Sequence, residues 1–108
     1  MTKITFYQRV DGTFQGFNSQ DHAGYSAEGQ DIVCAAVSAL VINFVNSLDE
    51  LTDDHYQIDV NQEDAEIDVV FTEELSEEGS LLLRSLILGL TSVEEEHGQY
   101  LDVIFKEV

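Results

Sequence analysis

The sequence predicts an α+β domain of two layers, in the order ββαββαβ, with a mostly antiparallel sheet of about five strands packed against two helices. Period-two patterning around residues 3–10, 13–19, 56–60, 66–71 and 100–106 marks the strands. The first four come as two pairs, each joined by turn-forming residues. Apolar stretches at 31–48 and 81–90 are too long for strands and carry helical spacing. All 108 residues read as one domain, with no linker or tail set apart.

Taken in order, Ile4 and Phe6 alternate with Thr5 and Tyr7, as suits a half-buried strand. Asp11-Gly12 is a hairpin signal, read as a two-residue turn with both central residues at positive φ. Residues 13–19 return, and Phe14 and Phe17 break strict alternation around Gly16, which predicts a bulge there. A loop from about 20 to 30 holds His22, Gly24 and Gly29 without apolar periodicity. The helix from Asp31, or slightly earlier, to Leu48 is apolar nearly all round, so it should be covered on more than one side.

An acidic connector at 49–55 leads to a strand in which Tyr56, Ile58 and Val60 alternate with polar residues. A turn at 61–64 returns it through Ile67, Val69 and Phe71, giving a hairpin with one wet, acidic face. Ser76 is the expected N-cap of the second helix, with Glu77 and Glu78 favoured by the helix dipole. His97-Gly98 signals its end. Leu101, Val103 and Phe105 then alternate in a closing strand.

Charge narrows the function classes. There are 22 acidic and 4 basic residues, for a formal net charge of −18. Residues 1–48 hold four acids against two bases, or −2; residues 49–108 hold 18 against two, or −16. Such a field repels phosphate backbones, so direct nucleic-acid binding is disfavoured and a basic protein or peptide is attracted. The competing reading is that the acidity only keeps a small protein soluble. No run reaches the ~18 consecutive apolar residues of a membrane span, and no basic-then-apolar leader opens the chain, so no membrane association is expected. One cysteine forms no internal disulfide, which fits a reducing cytoplasmic setting.

That cysteine, Cys34, is the candidate nucleophile. A lone cysteine in an apolar run is ordinarily a small buried hydrophobe. Were Asp31 the helix cap, Cys34 would lie in the first turn, where the dipole favours thiolate; a start nearer Ala27 would weaken that advantage. His22 is the best-placed base, since it lies in a loop just before the helix that can fold back to the helix start. His55 and His97 read better as solvated residues. Asp31 and Ser38 stand three before and four after Cys34, on one helical face. Asp31 either orients His22 or caps the helix, and Ser38 either bonds its own backbone or lines the site. No ligand spacing points to zinc. Asp59-Val-Asn61-Gln-Glu63 fails as a calcium loop, because Asp64 stands where glycine is needed. No cofactor is expected.

The segment His22-Ala-Gly-Tyr, then Gly29, then Asp31-Ile-Val-Cys34-Ala-Ala-Val-Ser38, closely resembles the signature of the ribosomal-processing cysteine proteases, the Prp family. The likeness extends to chain length, the opening hairpin and the Leu-rich helix at 81–90. It implies a cytoplasmic cysteine endopeptidase that removes the short N-terminal extension of a large-subunit ribosomal protein, with Cys34 as nucleophile and His22 as general base and acid through a thioester. It also implies a homodimer, a loop around Gly24 and Gly29 that orders around the peptide, and substrates with lysines after the cut. One departure is Asp21, where the family usually has glycine before the histidine. The competing readings are a non-catalytic acidic binding module or chaperone for a basic ribosomal protein, and a redox-sensing thiol.

Overall fold

The computed structural model describes residues 1–21 and 28–108. In chain order the elements are β1 (Thr2–Gln8), β2 (Phe14–Asp21), α1 (Glu28–Leu51), β3 (Tyr56–Asn61), β4 (Glu66–Phe71), α2 (Glu77–His97) and β5 (Leu101–Glu107). The sheet order is β3-β4-β2-β1-β5. The ββαββαβ order expected from sequence is therefore present. The pairing is antiparallel except between β1 and β5, which run parallel.

Topology explains why both helices share one face. The chain crosses from β2 to β3 over β4 in one direction, and from β4 to β5 over β2 and β1 in the other. Because β2 and β4 are themselves antiparallel, two right-handed crossovers running opposite ways deliver α1 and α2 to the same side of the sheet. Alternation then assigns the inward residues: Ile4 and Phe6 of β1, Phe17 of β2, Val69 and Phe71 of β4 and Leu101 of β5 are buried. Rings link the layers, with Phe17 at 5.7 Å from Phe44 of α1 and Phe44 at 6.1 Å from Phe71, both edge-on as aromatic quadrupoles prefer.

Several local expectations are corrected. The first turn is a three-residue loop rather than two: Arg9 N–H donates to the Thr13 carbonyl at 2.7 Å and Gly12 N–H to the Arg9 carbonyl at 2.9 Å. Only Gly12 takes positive φ (+93°), the left-handed position that follows a type I turn in such loops. Asp11 instead uses its carboxylate, accepting from the Thr13 amide and hydroxyl. The bulge falls where expected, since Tyr7 pairs with Gly16 and Gln8 with Phe14, leaving Gln15 without a partner residue. Ser76 caps α2, its hydroxyl accepting from Gly79 N–H at 3.0 Å, and Gly98 closes it in a right-handed rather than left-handed conformation.

Helix α1 departs most. It begins at Glu28, so Asp31 lies inside it and is not its cap. Two surfaces cover it, the sheet and α2, whose Gly89 lies against Leu40, and its remaining face is open. Val33, Val37, Val41, Phe44 and Leu48 are buried, whereas Ile32 is 64% and Ile42 54% exposed. Residues 31–51 also satisfy the length and composition of a membrane-crossing helix, with mean hydropathy 1.8, which a search for unbroken apolar runs overlooks. Its inward stripe nevertheless builds the core against the sheet. The second hairpin does have its acidic outer face, on which Asn18 of β2 donates to Glu66 (2.7 Å) and Asp68 (2.6 Å) of β4.

Candidate active site

The site forms where the end of β2 meets α1. Pleating sends Phe17, Ser19 and Asp21 of β2 toward the helices, and Asp21 is the last residue of that strand. Cys34 lies in the second turn of α1 and faces it: the thiol donates to Asp21 Oδ2 at 2.6 Å. The other carboxylate oxygen, Oδ1, accepts from the buried Thr2 hydroxyl at 3.2 Å. The Asp21 amide donates to the Ala65 carbonyl at 3.0 Å, and Thr2 pairs with Asp21 across β1 and β2. The carboxylate is thus fixed from both sides before it meets the sulfur.

A groove of about 350 Å³ opens beside the thiol. Cys34, Val37 and Ser38 of α1 form one wall, Val60 and Ile67 of the second hairpin another, and Thr2, Ser19 and Asp21 lie at the sheet end. Edge strand β3 extends past α1, so Ile58 and Val60 keep about half their surface exposed although they point to the helical side. The groove therefore offers an apolar floor open to solvent next to a partly exposed sulfur.

Thiol electrostatics follow the earlier of the two helix starts weighed from sequence, the one that weakens the thiolate. The Asp21 carboxylate, accepting the thiol hydrogen and repelling negative charge on sulfur, pushes the Cys34 pKa up to about 11. Burial and the charges of Asp21 and Asp31 add to the rise, while the Ser38 hydroxyl pulls the other way. With α1 starting at Glu28, the helix N-terminus is too far away to offset this. The thiolate favoured by a first-turn position is not what this arrangement produces.

Among the residues named from sequence, Cys34 and Ser38 come together in the groove, one helical turn apart. Asp31 is exposed and acts on the sulfur through charge. His22 and Gly24 lie outside the described residues, and Gly29 falls in the first turn of α1. His55 is exposed on the connector after α1, and His97 ends α2 beside Ile32 and Val33. Among the described residues no group of three or more His, Cys, Asp or Glu is arranged to hold a metal ion. Sequence reasoning missed the contact of Asp21 with Cys34 and the support from Thr2. Strand parity carried the signal: Phe17 faces inward, so Ser19 and Asp21 must do so if the strand runs on.

Comparison with known proteins agrees with a thiol site. The model of the family described as cysteine protease Prp matches residues 1–102. The ribosomal processing cysteine protease Prp of Bacillus subtilis (strain 168) is 28% identical over 107 residues, covering 95% of this chain and 96% of the relative. Its namesake from Staphylococcus aureus (strain Mu50 / ATCC 700699) is 27% identical over 85 residues, or 79% and 80%. The fold matches the crystal structure of an essential ribosomal processing protease Prp from S. aureus in complex with a substrate peptide. That match has a TM-score of 0.92 at 23% identity, over 98% of this chain and 100% of that one.

Proposed function

This chain belongs to the cysteine protease Prp family, and from that premise we propose that it trims the basic N-terminal extension of a large-subunit ribosomal protein, using Cys34 and His22 as a catalytic dyad. The observation that carries the proposal is the placement of the sole thiol at an open groove, against the last residue of β2. His22 is bonded directly to that residue, so chain connectivity holds its backbone within one peptide unit of the group that touches the sulfur. The names of the relatives supply the ribosomal setting, and the cytoplasm is where that setting would put the enzyme.

In the mechanism, the His22 imidazole takes the Cys34 proton and the sulfur adds to the scissile carbonyl carbon. The carbon–nitrogen bond then breaks, the imidazolium gives its proton to the leaving amine, and a thioester remains. Water, deprotonated by the same imidazole, attacks the thioester and returns the thiol and a carboxylic acid. Substrate enters against a field of −18, so a basic segment is drawn in and association weakens with salt. The groove's apolar wall of Val37, Val60 and Ile67 suits an apolar side chain beside the cut.

The exposed apolar residues Ile32 and Ile42 of α1 and Leu81 and Leu88 of α2 favour a second copy of the chain over the outer helical surface. Sedimentation should then give twice the mass of 12.1 kDa and revert to a monomer in Ile42→Asp; a native monomer at high micromolar concentration sinks this part.

The test of function is incubation with ribosomal proteins bearing N-terminal extensions, read by intact mass. Native protein should shorten one of them; Cys34→Ala should abolish cleavage and His22→Ala reduce it at least about a hundredfold. Undiminished cleavage by Cys34→Ala, or binding without cleavage by native protein, overturns the proposal.

A further inference from the structure

Three features of the groove bear on when the thiol is a nucleophile. The carboxylate of Asp21 is the hydrogen-bond partner of Cys34, at 2.6 Å. That carboxylate is itself held, through Thr2 Oγ1 on Oδ1 and through the strand pairing of its backbone to Ala65 and Thr2. Among the described residues, Asp31 of α1 is the other charge acting on the sulfur, Glu66 of β4 is the other acid lining the groove, and no lysine or arginine lines it.

We propose that Asp21 is a positioning residue that holds Cys34 as the protonated thiol, so that the nucleophile is released only when the Asp21 carboxylate is drawn off the sulfur. This deepens the protease reading and rests on it for its catalytic consequence, but the hold on the thiol is a property of the free protein. The carboxylate cannot itself serve as the base. With the thiol near 11, a carboxylate is far too weak a base to take its proton. It would also leave a sulfur anion under the negative charge of Asp31. Asp21 therefore fixes the direction of the S–H bond and opposes ionisation. Low pH does not release the thiol either, because protonating Asp21 leaves the sulfur protonated as well. Release takes a cationic group drawn to the Asp21 carboxylate, which would replace the thiol as its partner.

The chain has one cysteine, so alkylation reports Cys34 without ambiguity. The experiment measures the second-order rate of carbamidomethylation by iodoacetamide from pH 6 to 11, by intact mass, for the native chain, Asp21→Asn and Asp31→Asn. Native Cys34 should titrate well above 9, near 11. Asp21→Asn keeps the shape and an acceptor oxygen but removes the charge, and should lower the midpoint by one to two units. A two-unit fall raises the thiolate fraction at pH 8 about a hundredfold, and the weaker nucleophilicity of a less basic sulfur trims the gain to about tenfold. Asp31→Asn, which acts through charge alone, should move the midpoint less.

A native midpoint at or below 9 overturns the proposal with no variant needed, and so does an Asp21→Asn profile that superimposes on the native one. Peptide cleavage separates the two readings. An Asp21→Asn shift in a chain that cuts nothing sinks the protease assignment and leaves the Asp21 role standing. Cleavage by native protein with no shift in the variant does the reverse.

Discussion

Asn18→Asp places a carboxyl where a buried amide now bridges two acids, and so tests what holds β2 against β4 under the groove. The Asn18 amide is 7% exposed and donates from Nδ2 to both Glu66 Oε1 and Asp68 Oδ1. Each hydrogen bond to a charged group is worth about 1.5–3 kcal/mol. The substitution changes volume hardly at all, so packing stays constant while two donors become none. Three carboxylates within hydrogen-bond reach cannot all ionise, and the new carboxyl is pushed to a raised pKa, neutral in the folded chain. Holding it neutral at pH 7 costs at most about 4 kcal/mol, at 1.36 kcal/mol per unit above an unfolded value near 4. Once neutral it regains one O–H donor where the amide supplied two.

The expected loss is therefore up to about 5.5 kcal/mol at pH 7, about 4 from holding the carboxyl neutral and about 1.5 from the lost hydrogen bond, with Tm falling by about 4–8 °C per kcal/mol in a chain of this size. The sign of its pH dependence follows from the raised pKa. Between the unfolded value and the folded one, the folded state binds a proton that the unfolded state has released, so the variant loses stability as pH rises through that window. The gap to the native chain should shrink toward about 1.5 kcal/mol near pH 4, where one lost hydrogen bond remains. Urea denaturation of both chains from pH 4 to 8 measures it. A gap that stays constant with pH, or falls below about 1 kcal/mol at pH 7, refutes the bridging role of the amide.

Two further substitutions test neighbouring features. Gly16→Ala would drive a Cβ into the Val69 carbonyl oxygen and within 3.1 Å of Val70 Cα, backbone atoms on a paired strand, so the urea midpoint should fall by an amount equivalent to about 1–3 kcal/mol; an unchanged midpoint would mean the strands can part at no cost. Ser76→Ala removes the α2 cap and one donor to Asp54 Oδ2, with an expected loss of about 1 kcal/mol that Ser76→Thr largely restores, read as a Tm shift of about 4–8 °C.

The fold was largely legible because its signals are local. Period two in Ile4–Phe6, Tyr56–Val60 and Ile67–Phe71, Ser76 before two glutamates, and Gly16 between two phenylalanines each dictate a conformation within a few residues. What was not legible in α1 is its open face, because coverage is a tertiary property. The α1 pattern of Ile32, Val33, Ile42 and Phe44 reads as apolar all round; the Val33, Val37, Val41, Phe44 and Leu48 stripe is buried and Leu40 meets α2, while Ile32 and Ile42 stay exposed. The start of α1 was equally hidden. Glu28-Gly29-Gln30 offers no cap, and the acidic residue that resembled one, Asp31, lies within the helix.

The same distinction governs the site. Cys34 and Ser38 were legible as neighbours because helical spacing places them, and they do share a groove. The partner of Cys34 was not, because Asp21 reaches it through strand pairing from 13 residues away. Ending β2 at residue 19 left Asp21 in a loop, where its charge seemed to concern only its neighbour His22. Extending the strand by two residues turns the same side chain inward, pairs it with Thr2, and sets its carboxylate on the sulfur. The consequence is chemical as well as geometric. A thiol near a helix start would be an activated nucleophile at rest, whereas a thiol donating to a fixed carboxylate is a restrained one. Under the proposal above, activation of that thiol belongs to the encounter with a cationic group that takes the carboxylate from the sulfur, the kind of group a chain carrying −18 attracts.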